Sequence, residues 1–113
     1  DVHRVIGPDQ TESVYREALH DFIERDTDYD CEMEVEIPII ACGKQYGTRF
    51  ADLVVNGDLI IELKVVKQAD NSHYRQLCAN VQHAGATRGL LFNFGTNSLD
   101  IWRHDADDEN AKG

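Results

Sequence analysis

The segment RFADLVVNGDLIIELK, which runs from Arg49 to Lys64, predicts a β-hairpin that the rest of the chain supports. Two runs rich in apolar and β-branched residues flank Asn56-Gly57, a pair typical of tight hairpin turns. The second run includes Glu62 and Lys64, which lie on the same face of a strand because they are two residues apart. Their neighbours are apolar, so we expect both charges to be largely buried. Burial of a carboxylate and an amine is costly unless they pair or hold a metal, which favours a functional site.

The length of the hairpin loop determines whether Asp52 joins these two residues. A two-residue loop would place Asp52 on the face opposite Glu62. A three-residue loop, over residues 55–57 or 56–58, pairs even-numbered with even-numbered residues and brings Asp52 to the face of Glu62 and Lys64. We predict this odd-numbered loop, or a bulge that has the same effect.

Length and composition indicate one domain with a modest core. The chain has 113 residues, of which 42% are hydrophobic, and this is enough for a single core. We predict a domain over residues 1–104 and an acidic, disordered tail over 105–113. No segment has the apolar length of a membrane span and the N-terminus lacks a signal-peptide layout, so no membrane partner is expected. Three cysteines without metal-type spacing indicate a reducing, intracellular compartment, cytoplasmic or nuclear.

The net charge of −10 argues against a simple nucleic-acid-binding protein, which usually carries a basic surface. The acids are concentrated in residues 21–36 and 105–109, however, whereas residues 37–99 contain six basic and four acidic residues. The predicted site therefore lies in the least acidic part of the chain. We interpret the acidic runs as solvated surface that keeps the protein soluble.

A helix and a strand are predicted before the hairpin. The helix covers about 11–25, with Val14 in its apolar stripe, Asp9 as its N-cap and Glu12 in capping-box position. In the strand, the odd-numbered residues from Cys31 to Ile39 form one apolar face. The other face carries three acids that we interpret as exposed rather than metal-binding: Glu32, Glu34 and Glu36. A turn over 41–47 then leads into the hairpin.

A second helix and two further strands are predicted after the hairpin. They are, in order, a helix that begins at Asp70, Asn71 or Ser72 and ends at Gly85, a strand over 88–94 and a strand over 99–103. The connection through this helix should be a right-handed parallel crossover, which gives a mixed sheet with helices against it. One face of the helix carries His73, Gln76, Asn80 and His83. These side chains could contact a phosphate backbone or face water, and we favour water.

Several ordered segments resemble the PDDEXK nuclease superfamily, and more narrowly its GxxExxY branch. They are Gly7-Pro8 with Glu12-Ser13-Val14-Tyr15, Arg49-Phe50-Ala51-Asp52, Glu62-Leu63-Lys64, His73 with Gln76-Leu77, and the segment from Gly89 to Gly95. The resemblance implies an α/β (α+β) fold, with a restriction-endonuclease-like αβββαβ core and a mixed central sheet flanked by helices. The chain departs from the family in its acidity and in lacking most of the helix before Gly7.

The resemblance also implies a metal-dependent nuclease that hydrolyses DNA phosphodiester bonds. Asp52, Glu62 and the backbone carbonyl of Leu63 would ligate Mg²⁺, a hard cation that prefers oxygen ligands and for which Mn²⁺ can substitute. Lys64 would stand beside the attacking water or stabilise the charged transition state. Glu12 would reach the metal directly or through water.

The resemblance also suggests which residues would contact the nucleic acid. Gln76 would orient Lys64 or touch the scissile phosphate, and Arg49, His73 and Asn80 are further candidates for DNA contacts. A homodimer or a protein partner remains open. The alternative function is a catalytically inactive nuclease-fold module that binds nucleic acid or a protein, and a purely structural hairpin domain is the weakest interpretation.

Overall fold

A computed structural model describes residues 6–7, 10–95 and 99–106 of the chain. Its elements, in order, are α1 (Glu12–Asp26), β1 (Cys31–Ala41), β2 (Lys44–Val55), β3 (Leu59–Lys64), α2 (Asn71–Ala84), β4 (Arg88–Asn93) and β5 (Asp100–Asp105). The strands form one sheet in the order β1-β2-β3-β4-β5. Only β3 and β4, which α2 connects, pair in parallel among these strands. The predicted mixed sheet with helices against it is confirmed.

The central hairpin has the predicted three-residue loop, over residues 56–58. Val55 pairs with Leu59 and Leu53 with Ile61, so odd-numbered residues face odd-numbered ones. Asn56 and Gly57 both have positive φ angles, of 53° and 69°, which asparagine and glycine tolerate best. This odd-to-odd pairing is the parity that the three-residue loop requires, and the paired residues end at Leu53 and Ile61, one position before Asp52.

The two helices cover different apolar clusters on the sheet. One cluster, under α1, contains Leu53, Ile61 and Leu63 together with Tyr15, which is fully buried and stacks on Phe94 with ring centroids 4.4 Å apart. The other lies under α2 and includes the α2 residues Leu77 and Val81 together with Ile37, Ala51, Val54, Ile60 and Leu91. The prediction that Val14 belongs to the apolar stripe of α1 is wrong: it is 38% exposed.

The predicted alternation of β1 is wrong because the strand changes face near its middle. Cys31 packs in the cluster under α1, whereas Ile37 packs in the cluster under α2. Glu34 lies between them with a φ of 52°, a conformation that breaks the two-residue alternation. Ala51 and Leu53 of β2 likewise belong to different clusters. Both strands therefore change face beside Asp52.

The helix caps agree with the prediction for α2 but not for α1. Thr11 is the N-cap of α1 and accepts a hydrogen bond from the Val14 amide, so Glu12 is the first helical residue and not the third residue of a capping box. Asp9 lies outside the described residues. Asp70 caps α2 and Gly85 ends it in the left-handed conformation, both within the prediction.

Two further boundaries differ from the prediction. The turn between β1 and β2 contains only Cys42 and Gly43, with φ angles of 52° and 75°, because the strands continue almost to its tip. At the C-terminus, Asp105 is not part of a disordered tail: it ends β5, where it pairs with Arg88. The predicted tail otherwise lies mostly outside the described residues. No helix in the described part of the chain is long and apolar enough to cross a membrane.

Candidate active site

Most of the predicted site residues line one open cleft of about 390 Å³. The cleft lies where the β2–β3 ladder ends, and both helices contribute side chains to it. Its lining consists of Glu12, Thr48, Arg49, Phe50, Asp52, Glu62, Lys64, Gln76 and Asn80. The cleft thus brings together residues that are far apart in the sequence, and of the predicted site residues His73 and Leu63 are not in its lining.

Asp52 is held by two hydrogen bonds, one from β3 and one from α1. Its Oδ2 accepts from the Leu63 amide at 2.8 Å, and its Oδ1 accepts from Arg16 Nη1 at 3.1 Å. The Leu63 amide has no β2 carbonyl opposite it because the β2–β3 ladder ends at Leu53 and Ile61. The N–H and C=O of a residue in an extended strand point to the same edge. The carbonyl of Leu63 is therefore directed to the Asp52 side.

Glu62 is the most buried acid of the cleft, with 8% of its surface exposed. The Asn80 side-chain amide donates a hydrogen bond to Glu62 Oε2, and Asn80 Oδ1 accepts one from Arg49 Nε. Burial and the neighbouring Asp52 charge raise the pKa of Glu62 to about 8, against the opposing effects of Asn80 and Lys64. A carboxylate in this position gains strongly from an added positive charge.

Glu12 joins this group from the first turn of α1. Partial burial, and then the charge of Asp52, raise the pKa of Glu12, while Lys64 and Arg16 lower it. Glu12 lines the same cleft as the acid of β2 and the amine of β3, which is why their charges act on it. Glu12 does not have the capping-box role that the sequence also allowed, because it is the first helical residue after the N-cap Thr11.

Arg16 is a site residue that sequence reasoning missed. It lies one helical turn after Glu12, and its guanidinium contacts Asp52 at 3.1 Å and Glu34 at 3.6 Å. Its Nε is buried and has no hydrogen-bond acceptor among the described residues. The four-residue spacing from Glu12 was the available signal, because it places both side chains on one helix face.

The donor set of the cleft fits a hard divalent cation. Carboxylates of Asp52 and Glu62, with a nearby carbonyl and Glu12, are the oxygen ligands that Mg²⁺ takes. Burial, and then the charge of Asp52, raise the pKa of Glu62, and a bound cation would favour the ionised carboxylate against both effects. Within residues 6–7, 10–95 and 99–106, no group of three or more His, Cys, Asp or Glu side chains is arranged so that it could hold a metal ion. A cation would therefore have to compete with Arg16 for Asp52.

The polar face of α2 is divided between different roles. The prediction that it faces water is wrong for Asn80, which is 3% exposed and bonded to Glu62. Gln76 is exposed and lines the cleft. His73 instead accepts a hydrogen bond from the Asp70 amide at 3.1 Å and completes the capping box of α2.

Comparison with known proteins agrees with this architecture. The chain matches the sequence model of the PD-(D/E)XK nuclease superfamily over residues 1–104, and it belongs to this superfamily. Its members are generally hydrolytic nucleases that use divalent metal ions.

A solved structure titled "Crystal structure of SSO0001" is similar in fold, with a TM-score of 0.66 and 20% sequence identity. The alignment covers 83% of this chain and 50% of the other, so the present chain spans about half the length of that protein. No curated protein matches the chain.

Proposed function

We propose that this protein is a Mg²⁺-dependent nuclease of the GxxExxY type that hydrolyses DNA phosphodiester bonds. The observation that carries the proposal is the convergence of Glu12, Asp52, Glu62, Lys64 and Gln76 on one open cleft. A single buried ion pair would not need five polar side chains from two strands and two helices around a space open to solvent. Membership of a superfamily of metal-dependent nucleases supports the same interpretation.

Asp52, Glu62 and the carbonyl of Leu63 would hold the ion, with Glu12 reaching it directly or through water. Bound there, Mg²⁺ or Mn²⁺ would polarise the scissile phosphate and lower the pKa of the attacking water. Asn80 fixes the orientation of Glu62 through its amide. The Leu63 amide does the same for Asp52, so both carboxylates are oriented before a cation enters.

Lys64 and the polar residues at the cleft wall would act on the phosphate. The ammonium group of Lys64 would offset the negative charge that builds on the phosphate oxygens in the transition state. Gln76 would orient Lys64 or donate to the scissile phosphate. Arg49 would contribute to DNA binding at the same wall, and His73 would do so only beyond the cleft lining. The contact with DNA predicted for Asn80 is not proposed, because this side chain is buried and bonded to Glu62 and Arg49.

A cleavage assay tests the proposal. Wild-type protein should cut linear, branched or single-stranded DNA in the presence of Mg²⁺ or Mn²⁺, and EDTA should abolish cutting. Asp52→Asn, Glu62→Gln and Lys64→Met should each reduce the rate by about a hundredfold or more. Glu36→Gln, which changes an exposed acid of β1, is the matched control and should cut at the wild-type rate. Wild-type protein that cuts no DNA form with either metal would refute the proposal.

One observation favours a second candidate, a nuclease-fold module that binds nucleic acid or a protein partner without cutting. Arg16 supplies Asp52 with a positive charge at 3.1 Å, so the acid is satisfied without a metal. This candidate predicts DNA or protein binding that is unchanged by Mg²⁺ and by Glu62→Gln. Metal-dependent cleavage that Glu62→Gln abolishes would exclude it.

A further inference from the structure

The β1–β2 hairpin extends beyond the rest of the sheet. Its two strands have 11 and 12 residues, whereas β3, β4 and β5 have 6 each. Only Leu53 to Val55 of β2 pair with β3. The preceding residues of β2 pair with β1 alone, so residues 37–51 form a two-stranded arm that ends at the cleft. We call this segment the arm.

The charge of the arm differs from that of the whole chain. Residues 37–51 contain Lys44 and Arg49 and no acid, in a protein with a net charge of −10. Arg49 lines the cleft, and Lys44 lies at the far end of the arm beside the turn. A segment of positive charge that begins at the cleft suits a polyanion, since the acidic surface elsewhere would repel it.

The arm also exposes aromatic rings. Phe50 is 60% exposed and lines the cleft, and Tyr46 is 64% exposed. Tyr46 is the extra residue of a β-bulge, because Ile39 pairs with Gly47 and Ile40 with Gln45. The Lys44 ammonium lies 5.2 Å from the centre of the Tyr46 ring. Exposed rings next to basic side chains are the combination with which proteins bind unpaired bases.

We infer that the arm binds a few unpaired nucleotides of single-stranded DNA beside the bond that is cut. This inference rests on the proposed function for the position of the scissile phosphate. Tyr46 is six residues from Asp52, or about 20 Å along an extended strand. Bases within a duplex are already stacked on each other, so they present no free face to Phe50 or Tyr46. The arm therefore selects DNA that is single-stranded on one side of the cut.

The alternative occupant of the arm is a second copy of this chain. Ile40 is 57% exposed at the same end of the hairpin, so an apolar contact between two arms would also cover these rings. The positive charge of the arm disfavours this contact, because two copies would bring Lys44 and Arg49 of each chain together. The charge instead favours DNA.

Fluorescence anisotropy with a labelled oligothymidine and a duplex of equal length tests the inference. The titrations are done in EDTA at low salt, so that no hydrolysis occurs and the binding measurement is independent of catalysis. Phe50→Ala and Tyr46→Ala should each weaken oligothymidine binding by about fivefold to a hundredfold. Tyr46→Phe keeps the ring and should bind as the wild type does. Tyr29→Ala, which removes a 55% exposed ring outside the arm, is the matched control and should also bind normally.

Three results would overturn the inference. They are wild-type protein that does not bind oligothymidine, alanine variants that bind it with wild-type affinity, and a dimer in light scattering that Phe50→Ala converts to monomer. Retained melting temperatures for the alanine variants ensure that a loss of binding is not a loss of folding. If the alanine variants bind normally while wild-type protein still cuts duplex DNA, this inference fails and the proposed nuclease stands. If the alanine variants lose oligothymidine binding while wild-type protein cuts no DNA, the arm binds single-stranded DNA and the proposed nuclease function fails.

Discussion

Replacement of Glu62 by glutamine should stabilise the metal-free protein at pH 8 and have little effect at pH 5. The folded protein raises the pKa of Glu62 from its ordinary 4.5 to about 8. Between pH 4.5 and pH 8, Glu62 keeps its proton in the folded state but has released it in the unfolded chain. The contribution of Glu62 to the free energy of unfolding is therefore largest below pH 4.5. It is lost as the pH rises through 8. Glutamine mimics the protonated acid and removes this loss.

The size of the effect follows from the pKa difference. A shift of this size corresponds to about 5 kcal/mol if the whole difference acts on unfolding. The cleft is open to water, which screens the charge of Glu62. We therefore expect the free energy of unfolding of the wild type to fall by about 2–3 kcal/mol between pH 5 and pH 8 relative to Glu62→Gln.

Urea denaturation at several pH values, followed by circular dichroism, measures this difference. Contributions from the histidines are common to both proteins and cancel in the comparison. Mg²⁺ at a hundredfold excess over its Kd should raise the free energy of unfolding of the wild type at pH 8 by about 2.7 kcal/mol, and should not change that of Glu62→Gln. Glu17→Gln, at an exposed position of α1, should follow the wild type. Parallel stability curves for wild type and Glu62→Gln, or a variant less stable at pH 8, would refute the reasoning.

Three further predictions concern the surroundings of the site. Arg16→Met should tighten Mn²⁺ binding by about tenfold, because the guanidinium no longer competes for Asp52, and calorimetric titration with an unchanged or weaker Kd would contradict this. Gly89→Ala should destabilise the fold by about 1–3 kcal/mol in urea denaturation, since its Cβ would lie 2.7 Å from Val81 of α2; wild-type stability would contradict it. Thr11→Ala should cost about 1 kcal/mol in thermal unfolding through loss of the α1 cap, and an unchanged Tm would show that the cap is not required.

The sequence was sufficient for the elements that depend on local patterns. The turn at Asn56-Gly57 and the helix end at Gly85 each have a local conformational reason, and the structure confirms both. It also selects Asp70 among the three N-cap residues that the sequence allowed. The loop parity was also predicted, because only an odd-numbered loop brings Asp52 to the face of Glu62 and Lys64, where the buried charges could hold a metal. Short-range geometry and the cost of buried charge were enough here.

The sequence was insufficient where tertiary contacts determine the conformation. Asn80 looked like part of a solvated helix face, because the helical period cannot tell which polar residue meets a buried acid on another strand. A buried Glu62 needs a hydrogen-bond donor, but the sequence does not show that Asn80 is that donor. The positive φ of Glu34 had no signal at all, since non-glycine residues rarely adopt that conformation and glutamate does not favour it.

The change of face at Glu34 and Asp52 explains why the site lies at this point of the sheet. Before it, β2 turns Ala51 toward α2, and after it Leu53 packs under α1. Asp52 is the residue at the change, so its carboxylate can reach the Leu63 amide that the ended ladder leaves open, while α1 brings Arg16 to its other oxygen. If β2 were regular here, the Asp52 side chain would lie on one face of the sheet and the Leu63 amide would bond to a backbone carbonyl of β2. The irregularity that breaks the sequence pattern is thus the one that makes an acid available between the two helices.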